Sequence, residues 1–184
     1  MADQDPGNQG NGSGSPEDAP QVATLAQYIK DLSVESPNAP SVFQWSVQPQ
    51  LDVQFNIQVD RVGDEVHEVG LKVEVAARSD QGVHFLIDLT YGGLFAMRNI
   101  PEDAMGPFLL AEAPRLLFPF VRQIIAEASQ NVGFPPLLLD PIDFGQAYYS
   151  QIEAAQAQAQ AQGVEPNGNG GAVDAPAHDA PADE

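Results

Sequence analysis

In the stretch DLSVESPNAP, Asp31 and Glu35 stand four residues apart with Ser33 between them. On a β-strand, where side chains alternate faces, this spacing puts all three on one side and Leu32 and Val34 on the other. Two carboxylates held on one wet face, with Lys30 the one neighbouring cation along the chain, can draw in a cationic partner over about one Debye length, roughly 8 to 10 Å. Keeping a sheet edge soluble is the other use of such acids.

Residues for covalent or metal chemistry do not group in this way. The three histidines, His67, His84 and His178, have no second metal-type ligand at helical spacing, so exposed or cross-strand polar roles are expected for them, and no metal site. Cysteine is absent, which removes both thiolate ligands and disulfides. No G-x-S-x-G elbow occurs, and the GNGG near the C-terminus follows no strand, so neither a serine nucleophile nor a phosphate loop is read. Asp52, His67, His84 and Glu74 do not make the convergent polar set that a ligand pocket or catalytic centre needs. The expectation is a protein that is not an enzyme, with no catalytic residue and no cofactor.

Charge narrows the partners further. Among 184 residues, seven Lys and Arg face 26 Asp and Glu, a formal net charge of -19, which excludes nucleic acid and disfavours anionic membrane surfaces. All seven basic residues and 16 of the acids lie in residues 21–150, so that segment is acidic even without its ends. The N-terminus lacks the basic patch and apolar run of a secretory signal. No run approaches the roughly 18 consecutive apolar residues of a membrane span. A cytoplasmic location without membrane insertion is expected.

The elements that must position Asp31 and Glu35 are readable in the alternation. LDVQFNIQVD puts Leu51, Val53, Phe55, Ile57 and Val59 on one face and polar residues on the other, a half-buried antiparallel strand. VHEVGLKVEVAAR continues with Val69, Leu71, Val73 and Val75 in phase. VHFLIDLTYGGLF sets Val83, Phe85, Ile87, Leu89 and Tyr91 against His84, Leu86, Asp88 and Thr90. With an earlier strand around residues 27–36, this predicts a four-strand meander whose first link, long and rich in proline, crosses the sheet as a packed loop. From Pro101 the period becomes helical, with Pro114 and Pro119 expected to kink or divide the helix. A short helix near residues 144–154 follows, with Asp143 as N-cap.

The reading is an α+β fold: a four-stranded antiparallel sheet followed by a long kinked helix and a short C-terminal helix. Residues 1–20 form a disordered extension, 21–150 the domain, and 151–184 an Ala/Gln helix-prone run with a disordered acidic tail. A sheet with so few helices to cover it is expected to be buried by another copy of the chain.

KDLSVESPNAPSVF, FLIDLTYGGLF, LLFPFVRQII and GFPPLLLDPIDFGQAY, in that order over nearly all of residues 24–150, resemble the SecB family of bacterial protein-export chaperones. The Pro-Asn-Ala-Pro turn is the most distinctive of these blocks. The resemblance implies a cytoplasmic homotetramer, a dimer of dimers, that holds unfolded preproteins without ATP and passes them to the SecA motor. It implies that Asp31, Glu35, Leu86 and Asp88 dock the small basic, zinc-bearing C-terminal segment of SecA, with Leu86 as the apolar contact.

Holding an unfolded chain needs an extended apolar groove with adaptable walls. Phe43 and Trp45 in the crossover loop, Phe85 and Tyr91 on the fourth strand, Leu116, Leu117 and Phe120 along the helix, and Phe134 after it are its candidate lining. Core packing is the competing role for each. The chain also departs from the family pattern: Ile87 stands where a cysteine is frequent, Trp45 lies two residues before the usual Trp position, now Val47, and Asp88 replaces the longer Glu. A general or toxin-neutralising holdase without SecA, and a small-ligand-binding domain, are the alternative readings.

Overall fold

The computed structural model describes residues 19–161. The predicted disordered tail beyond residue 161, and all but the last two residues of the predicted disordered head, lie outside the described residues, as does His178.

Strands β1 (Gln21–Glu35), β2 (Gln50–Arg61), β3 (Val66–Ser79) and β4 (Gly82–Arg98) form one antiparallel sheet in the order β1-β4-β3-β2. Strands β2 to β4 are the expected meander. The meander is corrected at β1, which pairs with β4 and not β2; the 36–49 link crosses the sheet, as its length and prolines predict, and does not turn the chain back. β1 also begins earlier than its alternation suggests. Two irregularities, between Thr24 and Ala26 and between Ile29 and Asp31, each insert a residue and break the two-residue period that marks a strand in sequence.

The crossover is fastened to β4 by side chains that satisfy strand-end carbonyls. Ser36 Oγ donates to His84 O at 3.0 Å and Asn38 Nδ2 to Val83 O at 2.9 Å. The Ala39–Pro40 peptide is cis, a 3-10 turn covers Ser41–Gln44, and Val42 is buried beneath it.

After β4, α1 (Glu102–Pro107), a π-helical turn (Phe108–Glu112) and α2 (Ala113–Asn131) run consecutively. The π turn precedes Pro114, which has no N–H to donate to Leu110 and whose ring crowds that carbonyl; a locally wider turn relieves both. Pro119 stays inside α2. By length and composition alone Glu102–Asn131 could cross a membrane, although its apolar residues are not consecutive. In this fold Leu117, Val121 and Ile125 from that stretch are wholly buried, packed with the inner face of the sheet.

That inner face is Val69, Leu71, Val73 and Val75 of β3 with Ile87, Leu89 and Phe95 of β4, all buried. Each such side chain contributes about 1.5 to 3 kcal/mol on leaving water. α3 (Phe144–Ala161) starts where Asp143 Oδ1 accepts Gln146 N at 2.8 Å, the N-cap bond expected from sequence. The described residues divide into two units that part between Tyr148 and Tyr149; the second is the remainder of α3.

Candidate functional site

The outer face of the sheet brings Asp31, Glu35, Leu86 and Asp88 together. Glu35 lies opposite Leu86, Ser33 opposite Asp88 and Asp31 opposite Thr90, so Asp88 sits between the two β1 acids on the neighbouring strand. They line a shallow depression of about 400 Å³ that continues onto Glu74 and Ala76 of β3 and Asp52 and Gln54 of β2. Asp52 and Glu74, weighed in sequence only beside the histidines, join the acids of β1 and β4 here, with Gln54 and Ala76. Their signal is the register, Gln54 opposite Glu74 and Glu74 opposite Asp88, which alternation within single strands does not reveal.

The acids are not equivalent. Lys72 Nζ lies 2.9 Å from Glu74 and 3.1 Å from Asp88, and Glu74, then Asp88, raise the Lys72 pKa by accepting its hydrogen bonds. Asp88 and Glu74 are therefore partly neutralised. Asp31 and Glu35 of β1 enter no ion pair among the described residues, and neither does Asp52 of β2; Arg78 also lines the depression, and the two β1 acids are the adjacent unneutralised pair beside Leu86.

A second surface lies where the crossover meets the loop after α2. Phe43, Trp45, Phe85 and Phe134 line a groove of about 540 Å³ with Val47, Leu51, His84 and residues 135–137. The Phe134 ring centre is 5.0 Å from that of Phe85 and 5.7 Å from that of Phe43. Phe43 is 54% exposed and Phe85 only 4%, so the first is a wall and the second the floor. The loop behind Phe134 is held by Ser129, which donates to Ala126 O and accepts Leu137 N, both at 2.9 Å.

His84 was missed as part of this groove. Of the exposed or cross-strand polar roles expected for the histidines, exposure is corrected for both that are described, since His67 and His84 are buried, while His84 does make a polar contact across to β3. A bulge between Ala77 and Arg78 leaves His84 out of register, its Nε2 lies 2.9 Å from Ser79 Oγ, and Trp45 packs edge-on to its ring at 4.9 Å.

The other four groove candidates lie elsewhere. Leu117 is 0% exposed, a core residue. Tyr91 is buried and stacks on exposed Phe120 with ring centres 5.8 Å apart. Leu116 is exposed one turn from Phe120. The β1 residues Ile29 and Leu32, opposite Tyr91 and Leu89, are exposed too, so the inner side of edge strand β1 and the adjoining side of α2 carry an uncovered apolar strip.

Among the described residues no group of three or more His, Asp or Glu is placed to hold a metal. An open, aromatic-walled groove suits irregular apolar segments better than one rigid small molecule, and the fold with its two open surfaces is that of a protein that binds other polypeptides.

Comparison with known proteins gives the family. Residues 15–155 match the family model of SecB, preprotein translocase subunit. The protein-export protein SecB of Sphingopyxis alaskensis is 52% identical over 146 residues, covering 79% of this chain and 85% of that protein. That of Zymomonas mobilis subsp. mobilis is 54% identical over 148 residues, covering 80% and 90%. The chain belongs to the SecB family: a protein-export chaperone and not an enzyme. Its fold also matches that of the Mycobacterium tuberculosis SecB-like chaperone solved with a peptide from an antitoxin, at TM-score 0.55 and 15% identity, over 66% of this chain and 90% of that one.

Proposed function

We propose that the protein is an ATP-independent cytoplasmic holdase that keeps preproteins unfolded in the Phe43–Trp45–Phe85–Phe134 groove and delivers them to SecA through the outer sheet face. Asp31 and Glu35, with Leu86 and Asp88, receive the basic zinc-bearing segment of SecA. The observation that carries this reading is the pair of unneutralised carboxylates of β1 set beside an apolar side chain. They supply long-range attraction, and Leu86 a desolvated contact.

The working form is a homotetramer, a dimer of dimers. Supporting it is the apolar strip of Ile29, Leu32, Leu116 and Phe120, which a second copy would remove from water at about 25 cal/mol per Å². A toxin-neutralising role, suggested by the peptide bound to the mycobacterial neighbour, has a fold at 15% identity behind it, against export chaperones at about half identity.

The test measures native mass, affinity for a reduced unfolded preprotein against its folded form, and affinity for the SecA segment. A tetramer that prefers the unfolded form and loses the segment on Asp31→Lys and Glu35→Lys is expected. A stable monomer that prefers the folded form sinks the holdase, and unchanged segment affinity sinks the docking assignment.

A further inference from the structure

Resting on that docking reading and deepening it, we propose that Lys30, Tyr28 and Glu68 are positioning residues that set the phase of β1 and so turn Asp31 and Glu35 to the docking face. Ile29 lies opposite Tyr91 and Asp31 opposite Thr90, adjacent residues of β4, which leaves Lys30 as the extra residue of a bulge. Before the bulge, Tyr28 faces outward opposite Gly92 and Ile29 inward; after it, Asp31, Ser33 and Glu35 face outward. In an uninterrupted strand Tyr28 and Asp31 fall on opposite faces. With upstream pairing kept and the bulge lost, Leu32 and Val34 replace the two acids on the outer face, because a one-residue slip exchanges the faces of every side chain beyond it.

What holds the extra residue is a carboxylate two strands away. Glu68 projects from the outer face of β3, is buried, and accepts Tyr28 Oη at 2.5 Å and Lys30 Nζ at 2.8 Å. One carboxyl thus grips the residues on either side of Ile29, where the irregularity falls. β4 makes room for the grip by having no side chain there. A β-carbon at Gly92 would lie 3.0 Å from Cε2 of Tyr28 and 3.4 Å from Oε1 of Glu68. The charges agree with the geometry: Lys30, then Tyr28, hold the Glu68 carboxyl below the usual carboxylate range, and donation to Glu68 pushes the Tyr28 hydroxyl up to about 12.

Lys30→Ala is the decisive variant. Removing a cation from an acidic face would, by charge alone, tighten binding of a basic segment, so a loss reads position and not charge. The full-length protein is titrated with the zinc-loaded SecA segment, with unfolded-preprotein affinity and native mass measured in parallel. Lys30→Ala and Glu68→Gln are expected to weaken the segment about tenfold, the scale of a misplaced interfacial charge pair, with preprotein affinity and mass unchanged, and Lys30→Arg to bind as the parent protein does. Parent-like segment binding by Lys30→Ala and Glu68→Gln, while Asp31→Lys with Glu35→Lys abolishes it, overturns the positioning role and spares the docking reading. Unchanged binding after that double reversal overturns both. Loss of segment binding, preprotein binding and native mass together also overturns the positioning role, since it makes the cluster a general prop of the fold.

Discussion

The ring of Phe43 rests on the α-carbon of Gly133: a β-carbon at that glycine would stand 2.8 Å from Cε1 of Phe43. Gly133 also has φ +90°, a conformation that L side chains resist. Gly133→Ala is expected to cost more than about 1 kcal/mol through the backbone and to push Phe43 out of the groove wall. Denaturant unfolding and titration with an unfolded preprotein check the two effects. Preprotein affinity equal to the parent's would separate Phe43 from client holding.

Leu117→Ala should behave oppositely. The side chain is wholly buried against the sheet, so truncation leaves a cavity and costs about 2 to 5 kcal/mol. Among molecules that remain folded, preprotein affinity should stay unchanged. A weakened affinity at full native structure would return Leu117 to the groove.

Ser129→Ala removes the acceptor of Leu137 N and leaves that amide without its partner. A buried unsatisfied donor costs about 1 to 3 kcal/mol. The loss should appear as faster amide hydrogen exchange at Gly133, Phe134 and Leu137, ahead of the sheet amides. Uniformly faster exchange would mean that Ser129 supports the whole domain and not this loop.

Stability should depend on pH at both ends through Glu68 and its donors. The Glu68 pKa is depressed, so its contribution is present above the unfolded value and lost as pH falls through the lower folded one. The Tyr28 pKa is raised to about 12 from 10.0, so its contribution is present below the unfolded value and lost as pH rises from about 10 to about 12. In Glu68→Gln both slopes should flatten, and the last phenolate to appear in an alkaline absorbance titration should appear earlier. An unchanged titration would show that Tyr28 and Glu68 do not share a proton bond in solution.

How much was legible depends on whether local pattern or long-range pairing decides a feature. β2 is plain from its five alternating apolar residues, and the Asp143 cap from residue type and place. β1 is not, because the extra residues at Leu25 and Lys30 break its period; only the downstream half, where Asp31 and Glu35 sit, reads cleanly. The pairing of β1 with β4 follows from where the 36–49 link sets the chain down: its length and prolines mark a crossing, but not the strand beside which β1 is left. In the site, the four docking residues are legible because two strand segments each alternate. Asp52 and Glu74 join them through registers across three strands. Aromatic type marks Phe43, Trp45, Phe85 and Phe134, but equally marks Tyr91 and Phe120, which stack on each other outside the groove, Tyr91 six residues further along β4 from Phe85. His84 escapes because a bulge removes it from the period that predicts its face.

The order β1-β4-β3-β2 has a consequence during synthesis. β1 leaves the ribosome first, yet its hydrogen-bonding partner is made last, so the three later strands can zip as local hairpins while the first waits for a long loop to close. The aromatic trough is shaped by the crossover link and by the segment following α2, and it takes form after translation has passed residue 137. A half-made chain therefore lacks the trough until its last third is being added.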